Sequence, residues 1–442
     1  MVGIRQHLDH VARLGANLLY LTPFFPARSS HRYDASTFDH VDPVLGGDQA
    51  LAALVDAAHA RGIRVIGDLT TNHSGDHHDW FRAAQADDAA PEAGYYYFGD
   101  RPDDYVGWFD LPSLPKFDLQ SADLRRRFLD GADSVVHHWL AEPFGLDGWR
   151  IDVANMTGRL DPVDVNHEVA RLIRGTTAGV GGDRWLVAEH MCDATADLVN
   201  LAGDGWHGVM AYSWFTRPLW SWLARADVEL MGVPGGFPRG GAAGAAATFR
   251  DLTAGVPWAA VTASMTLLDS PDTARFATVA RSPEHQLVGV GLLLAAVGVP
   301  MIFAGDEVGV QGDASDTARQ PFPWDESAWD RRTFDTYRRL VACRRESEAL
   351  RRGGLRWLHT GFDSMTFVRE AADECVLVHA SRSNHDPVEL SCGDLGLVGD
   401  VEALYGDTSL EILRGDGRPP SVRLPSHGPA FGMWRFSPPQ RR

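Results

Sequence analysis

An α/β fold is predicted: a (β/α)8 TIM barrel that lacks its first strand and carries an inserted lid subdomain, followed by a C-terminal antiparallel β-sandwich. Two observations predict the barrel and a third predicts the sandwich. Apolar strand-like runs alternate strictly with helical patterns, which means a parallel sheet. Such strands, spread over about 300 residues with long insertions, fit a barrel better than an open sheet. Beyond residue 353 the texture changes to short alternating segments broken by turn residues, as in an antiparallel module. The predicted domains are 1–352, with an inserted subdomain at about 73–125, and 353–442.

The elements follow in order. Ile4, Leu8, Val11 and Leu14 recur at helical spacing and Gly15 ends that helix. Strand candidates are 17–22, 64–70, 148–153, 184–189, 207–212, 266–270 and 300–304. Between them lie helical stretches such as GDQALAALVDAAHARG and SADLRRRFLDGADSVVHHWLAE. The chain opens on a helix that should follow a strand, so either it starts late or the barrel has an open seam. An open seam would expose edge groups and lower stability unless another segment covered it. The stretch from Asn72 to about Arg125 is rich in Asp, Gly, Pro and aromatics and is too long for an ordinary loop. We read it as the lid. A Gly- and Ala-rich span, 232–248, reads as a flexible loop. Its glycines do not open a helix after a strand, which argues against a phosphate site. A long helical pattern runs from Trp324 to about Arg352.

Composition narrows the function. The chain has 41 basic and 59 acidic residues, a net charge of −18. That argues against nucleic acid or an anionic membrane as partner. No apolar run is long enough to span a membrane, and MVGIRQHLDH contains no signal core. Cys192, Cys343, Cys375 and Cys392 lack metal-ligand spacing. We read a cytoplasmic protein with reduced thiols.

The segment GLDGWRIDV organises the rest. Trp149, Ile151 and Val153 alternate with Arg150 and Asp152, so two opposite charges share one side of a buried strand. Such charges must be desolvated and then paired. A structural ion pair is one reading, and a catalytic carboxylate held by its arginine is the other. Acids at other strand ends favour the second. Asp68, Glu189, Asp269 and Asp272 fall at the C-terminal ends of strands, where barrel chemistry sits. Converging carboxylates serve a divalent cation or glycoside hydrolysis. His31, Tyr33, His73 and Arg150 add donors and a flat ring, a mixture that favours a sugar. Asp68 reads as a positioning residue, Asp269 as a solvated strand-end acid, and His77 and His78 as residues on the lid's wet face.

These segments resemble the α-amylase family of glycoside hydrolases over nearly the whole chain. HRYDASTFDHVDP, DLTTNH, GWRIDVAN, LVAEH and LLDSPDTARF are similar to its ordered motifs. LPKFD is nearest the form in the cyclomaltodextrinase and neopullulanase-like branch, and FAGDEVGVQG with RQPFPW is similar to the stretch after the eighth strand. The resemblance implies a retaining hydrolase acting on α-1,4 bonds of maltooligosaccharides or related α-glucans such as cyclodextrins and pullulan. It implies Asp152 as nucleophile held ionised by Arg150, Glu189 as acid/base with a raised pKa, and Asp272 as transition-state stabiliser. It also implies that Tyr33 stacks on the sugar, that His31 and His73 donate to its hydroxyls, that His190 lines the leaving-group side, and that Arg275 holds a sugar or pairs with an acid. No cofactor is implied. Asn72 ligates calcium in amylases, but this branch frequently lacks that site, and the sequence shows no complete ligand set. Two departures stand out. Pro271 occupies the place of a histidine before Asp272, which implies an impaired enzyme. Met156 stands where relatives carry a polar residue facing the next sugar. A transferase or isomerase using the same acids, and a non-catalytic binding protein, are the rival readings. A homodimer is one arrangement that would complete the barrel or the cleft.

Overall fold

The computed structural model describes residues 1–100, 102–199, 203–225, 228, 239–313, 315–397, 400–406, 410–415 and 418–437. Contacts divide the chain into two compact units. The first comprises residues 1–190 and 194–210, the second 191–193 and 211–442.

The first unit is built on a parallel sheet of β1 (Leu18–Tyr20), β2 (Arg64–Thr70), β3 (Gly148–Asp152), β4 (Trp185–Ala188) and β5 (Gly208–Val209), in that order. Every predicted strand of this half is present. Sequential parallel neighbours joined by helices are the barrel's repeating step. The crossover helix Gly47–His59 shows why the pattern was readable: Leu51, Leu54, Val55 and Ala58 are its buried stripe. β2 is buried at every position after Arg64, as a strand covered on both faces must be. The N-terminal helix is two pieces, Val2–Gln6 and Leu8–Leu14, the second closed by a left-handed Gly15. The long helical stretch after residue 120 also divides, into Ala122–Phe128 and Val135–Leu140. Gly131 takes a positive φ of 83° between them, and Ser121 and Ser134 cap the two helices.

The inserted region has its own aromatic core of Trp80, Phe81, Tyr95, Tyr96 and Phe117, all buried. Trp80 meets Tyr95 edge-on at 5.7 Å and Phe81 meets Tyr96 at 4.9 Å. An antiparallel bridge between His73 and Lys116 fastens the insertion to the end of β2. His78 is not on a wet face: it is buried, and its Nδ1 caps the helix Asp79–Ala86 by accepting from the Trp80 N–H at 3.1 Å.

The second unit carries the remaining parallel pair, β6 (Met265–Leu267) and β7 (Val299–Met301). The predicted C-terminal module is present as two antiparallel sheets. The larger contains β8 (Gly354–Thr360), β9 (Ser364–Glu370), β10 (Cys375–Ser381), Ala430–Phe436 and Glu402–Tyr405, and the smaller contains Glu389–Ser391, Arg418–Arg423 and Glu411–Gly415. Val368, Leu377 and Trp434 pack with Val388, Val422 and Leu424 between them, the interdigitated core of a sandwich. Residue 353 marks the change of secondary structure, but compactness does not divide the chain there. Arg344 and Arg369 donate to the carbonyls of Leu294, Ala295, Ala296 and Gly298 at the end of the helix Pro283–Ala295. Cations there satisfy carbonyls that the helix leaves open, so sheet and helix fold as one body. The span predicted as a loop at 232–248 lies partly outside the described residues. Its described end is helical, Ala242–Thr253, because alanine favours helix more than the neighbouring glycines oppose it. Among the described residues no helix is long and apolar enough to cross a membrane.

Candidate active site

Strand register assembles the charged cluster. β2 and β3 pair with Asp68 beside Arg150, and β3 and β4 pair with Ile151 beside Ala188. Asp152 therefore ends one strand and Glu189 follows the end of the next. The Arg150 guanidinium joins three acids. Its Nη1 lies 3.0 Å from Asp68 Oδ1 and 2.7 Å from Asp152 Oδ1, and its Nη2 lies 2.8 Å from Glu189 Oε1. All four side chains are buried. Glu189 Oε2 also accepts the Val153 N–H at 2.8 Å. Val153 reaches that bond with a φ of 46°, a strained conformation for a β-branched residue.

This geometry revises one expectation. Arg150 does not simply hold Asp152 ionised, because one cation is divided among three carboxyls. Burial pushes Asp152 well above the usual carboxylate range; Arg150 opposes this, and Glu189 and Asp68 add to it. Burial raises Asp68 as well. The cluster thus retains a proton beyond the range of free carboxylates, and that proton belongs to the group of acids as a whole. Asp68 makes the contacts that a positioning residue would make. It accepts from Tyr20 at 2.5 Å, from Tyr33 at 3.1 Å and from Arg150.

The predicted substrate contacts separate into two groups. Tyr33 faces the Arg150 guanidinium at 5.7 Å and lies nearly parallel to the His31 ring at 5.8 Å. His73 is buried and stacks on Trp108 at 5.4 Å. Burial lowers its pKa to about 3, so it is neutral. His190 is held by Asp197 at 2.8 Å, and Arg159 holds the same carboxylate. His73 Nε2 and His190 Nδ1 are buried without a protein partner, as ring nitrogens kept for a ligand would be. Arg275 does not join them. It is 1% exposed, and its nitrogens donate to Ala318, Phe303, Ala304 and Asp306. Four of its five N–H donors meet protein acceptors and the side chain is sealed from solvent, so of the two roles expected the contacts match the pairing one. Asp269 is not solvated either. It is buried, accepts the Phe276 N–H, and shares a hydrogen bond with Asp306. Two adjacent buried carboxyls cannot both ionise, and burial raises both.

Asp272 lies in the second unit, where Arg319 pairs with it at 3.0 Å and donates to the Pro271 carbonyl at 2.8 Å. Arg319 opens the segment RQPFPW, but spacing along the chain does not name its partner, nor does it set Tyr20, Trp108 or Lys116 apart from their neighbours. Lys116 is buried and donates to Asn72 Oδ1 and to the Met156 carbonyl. An ammonium on the Asn72 oxygen takes the place a cation would need, and no cluster of three or more His, Cys, Asp or Glu suits a metal among the described residues. The donor set does not fit calcium.

The chain is similar to known proteins in both sequence and fold. The model of the α-amylase catalytic domain matches residues 1–178. A Bacillus cyclomaltodextrinase is 29% identical over 401 residues, which is 85% of this chain and 64% of that protein. Neopullulanase 2 of Thermoactinomyces vulgaris is 29% identical over 94% of this chain and 66% of its own length. The chain thus spans less than two thirds of these relatives. Among solved structures, a debranching enzyme from Nostoc punctiforme superposes with a TM-score of 0.84 at 27% identity, covering 98% of this chain and 88% of that one. A cyclic α-maltosyl-(1→6)-maltose hydrolase from Arthrobacter globiformis gives 0.79 at 28% identity, covering 98% and 89%.

Proposed function

Since the chain belongs to the α-amylase family of glycoside hydrolases, with that family's barrel and C-terminal β-sandwich, we propose that it is a retaining glycosidase. It hydrolyses α-1,4-glucosidic bonds of maltooligosaccharides or related α-glucans, in the cytoplasm. The observation that carries this reading is the single guanidinium joining Asp152 and Glu189 at the ends of adjacent strands. Retaining chemistry needs its two carboxyls only about 5–5.5 Å apart, and a shared cation holds them close.

In the proposed reaction Asp152 attacks the anomeric carbon as the glycosidic C–O bond breaks. Glu189 gives its proton to the departing oxygen. A covalent glycosyl-enzyme forms, and Glu189, now a carboxylate, takes a proton from water as that water attacks the same carbon. Asp152 leaves, and the configuration is retained. Asp68 fixes Arg150, while Tyr33, His31, His73 and His190 contact the sugar. Asp272 is assigned as the third acid from its SPD motif. Pro271 supplies no side-chain donor beside it, so the rate is reduced.

The test is release of p-nitrophenol from an α-glucoside, with Asp152→Ala as the blank. An initial α-anomeric product supports the reading; an initial β-anomer, or equal rates for the blank, refutes it. Product analysis on maltose and maltotriose separates hydrolysis from transfer.

A further inference from the structure

We propose that Tyr212, acting through Ser270, is a positioning residue for Asp272. The proposal rests on the glycosidase reading above, in which Asp272 is the third acid. Strand pairing places Asp152, and Glu189 directly follows a strand. Asp272 stands in irregular chain beyond the end of β6, outside any strand. An acid that meets developing charge must be held to within about 0.5 Å, so at this place side chains have to hold the backbone.

Two hydrogen bonds to one oxygen do so. The Asp272 N–H donates to Ser270 Oγ at 3.1 Å, a local bond that closes the chain around Pro271. The Tyr212 O–H donates to the same Ser270 Oγ at 2.7 Å. Ser270 and Tyr212 are both fully buried, so the phenol fixes the serine rotamer without competition from solvent. Pro271 fixes its own φ between the two ends, and the Ser270 N–H donates to Thr273 Oγ1 at 3.0 Å. At the far end of the acid, Arg319 lies 3.0 Å from Asp272 Oδ1. The carboxylate is thus held by Arg319 and the backbone by Tyr212.

The element that carries Tyr212 points the same way. It opens a π-helical turn, Tyr212–Thr216, ahead of the helix Arg217–Leu223. The Phe215 and Thr216 N–H groups both donate to the Ala211 carbonyl, at 3.0 and 3.2 Å. Such turns are rare and recur at functional sites, and all five residues of this one are buried. Three side chains reach from the turn and its helix to the end of β6. Thr216 Oγ1 donates to the Leu267 carbonyl at 2.8 Å and Trp220 Nε1 to the Leu268 carbonyl at 2.7 Å. Those two anchor the strand end through backbone that any sequence would offer. Tyr212 instead takes a side chain, and it is the side chain that receives the Asp272 N–H.

The experiment is a double-mutant cycle on kcat/KM for α-glucosyl fluoride, a reactive substrate on which weakened variants stay measurable, at a temperature where every variant is folded. Tyr212→Phe keeps the ring and removes the bond, and it is expected to lower kcat/KM about two- to twelvefold. Ser270→Ala should do the same, and the double variant should be no worse than the weaker single one, because the two act in series. In an Asp272→Asn background Tyr212→Phe should change nothing further, since no charge is left to aim. An equal loss in both backgrounds makes Tyr212 merely structural and overturns the proposal. So does a lower melting temperature with an unaltered rate. A wild-type protein inactive on the fluoride overturns the glycosidase reading together with this one, whereas missing coupling in an active protein overturns this one alone.

Discussion

Replacing Arg150 by methionine removes a cation that contacts three buried acids. Asp68, Asp152 and Glu189 lie 3.0, 2.7 and 2.8 Å from its guanidinium. Removing one partner of a buried pair costs about 3–5 kcal/mol. Three such losses do not add, because an unpaired buried carboxyl takes up a proton instead of staying charged. The expected loss is therefore about 3–5 kcal/mol near pH 8. For a unit of roughly 200 residues that corresponds to about 6–20 °C in melting temperature. The sign of the pH dependence follows from linkage. In the variant the carboxyls of the folded state bind protons more tightly than those of the unfolded chain. Stability therefore falls as pH rises above the unfolded carboxylate value of about 4, and the deficit relative to wild type grows from pH 5 to pH 8. Differential scanning calorimetry of both proteins at these two pH values measures it. A deficit that is constant with pH, or smaller at pH 8, would refute the reasoning.

Three further outcomes follow. Pro271→His adds a donor beside Asp272 without disturbing Arg319, whose bond to residue 271 is to its carbonyl. A hydrogen bond to developing charge is worth about 1.5–3 kcal/mol, so kcat/KM should rise about ten- to a hundredfold, and an unchanged or lower value counts against it. Lys116→Met leaves the Asn72 and Met156 oxygens unpaired at about 1–3 kcal/mol each, an upper bound because burial already lowers the lysine pKa to about 8. The variant should melt lower, while EDTA should leave the wild-type melting curve unmoved; a downward shift with EDTA would restore calcium to the site. Asp197 has a pKa depressed below the usual range through Arg159 and His190, which outweigh its burial. Its contribution is complete above the unfolded value of about 4 and is lost as pH falls through the folded value. Asp197→Asn should therefore cost about 1.5–3 kcal/mol from pH 5 to 8, and the difference from wild type should close below pH 4 in chemical denaturation.

The sequence by itself determined the order of strands and helices, because periodicity is local: the stripe of Leu51, Leu54, Val55 and Ala58 is visible in thirteen consecutive residues. It also marked Asp152, Glu189 and Arg150, since charges inside apolar strands need a reason wherever the strands lie. Interior helix breaks escaped it, as at Gly131, where a left-handed glycine and a capping serine override a continuous amphipathic pattern. Tertiary structure alone decided what each charge touches. Arg275 and Asp269 sit in motifs indistinguishable in texture from those of Asp152 and Glu189, yet Asp306 and three carbonyls occupy the arginine. Lys116 and Asn72 are 44 residues apart, and their contact exists only because the insertion folds back onto the end of β2. Pairing energies depend on distance and burial, and neither is written in the spacing of residues along the chain.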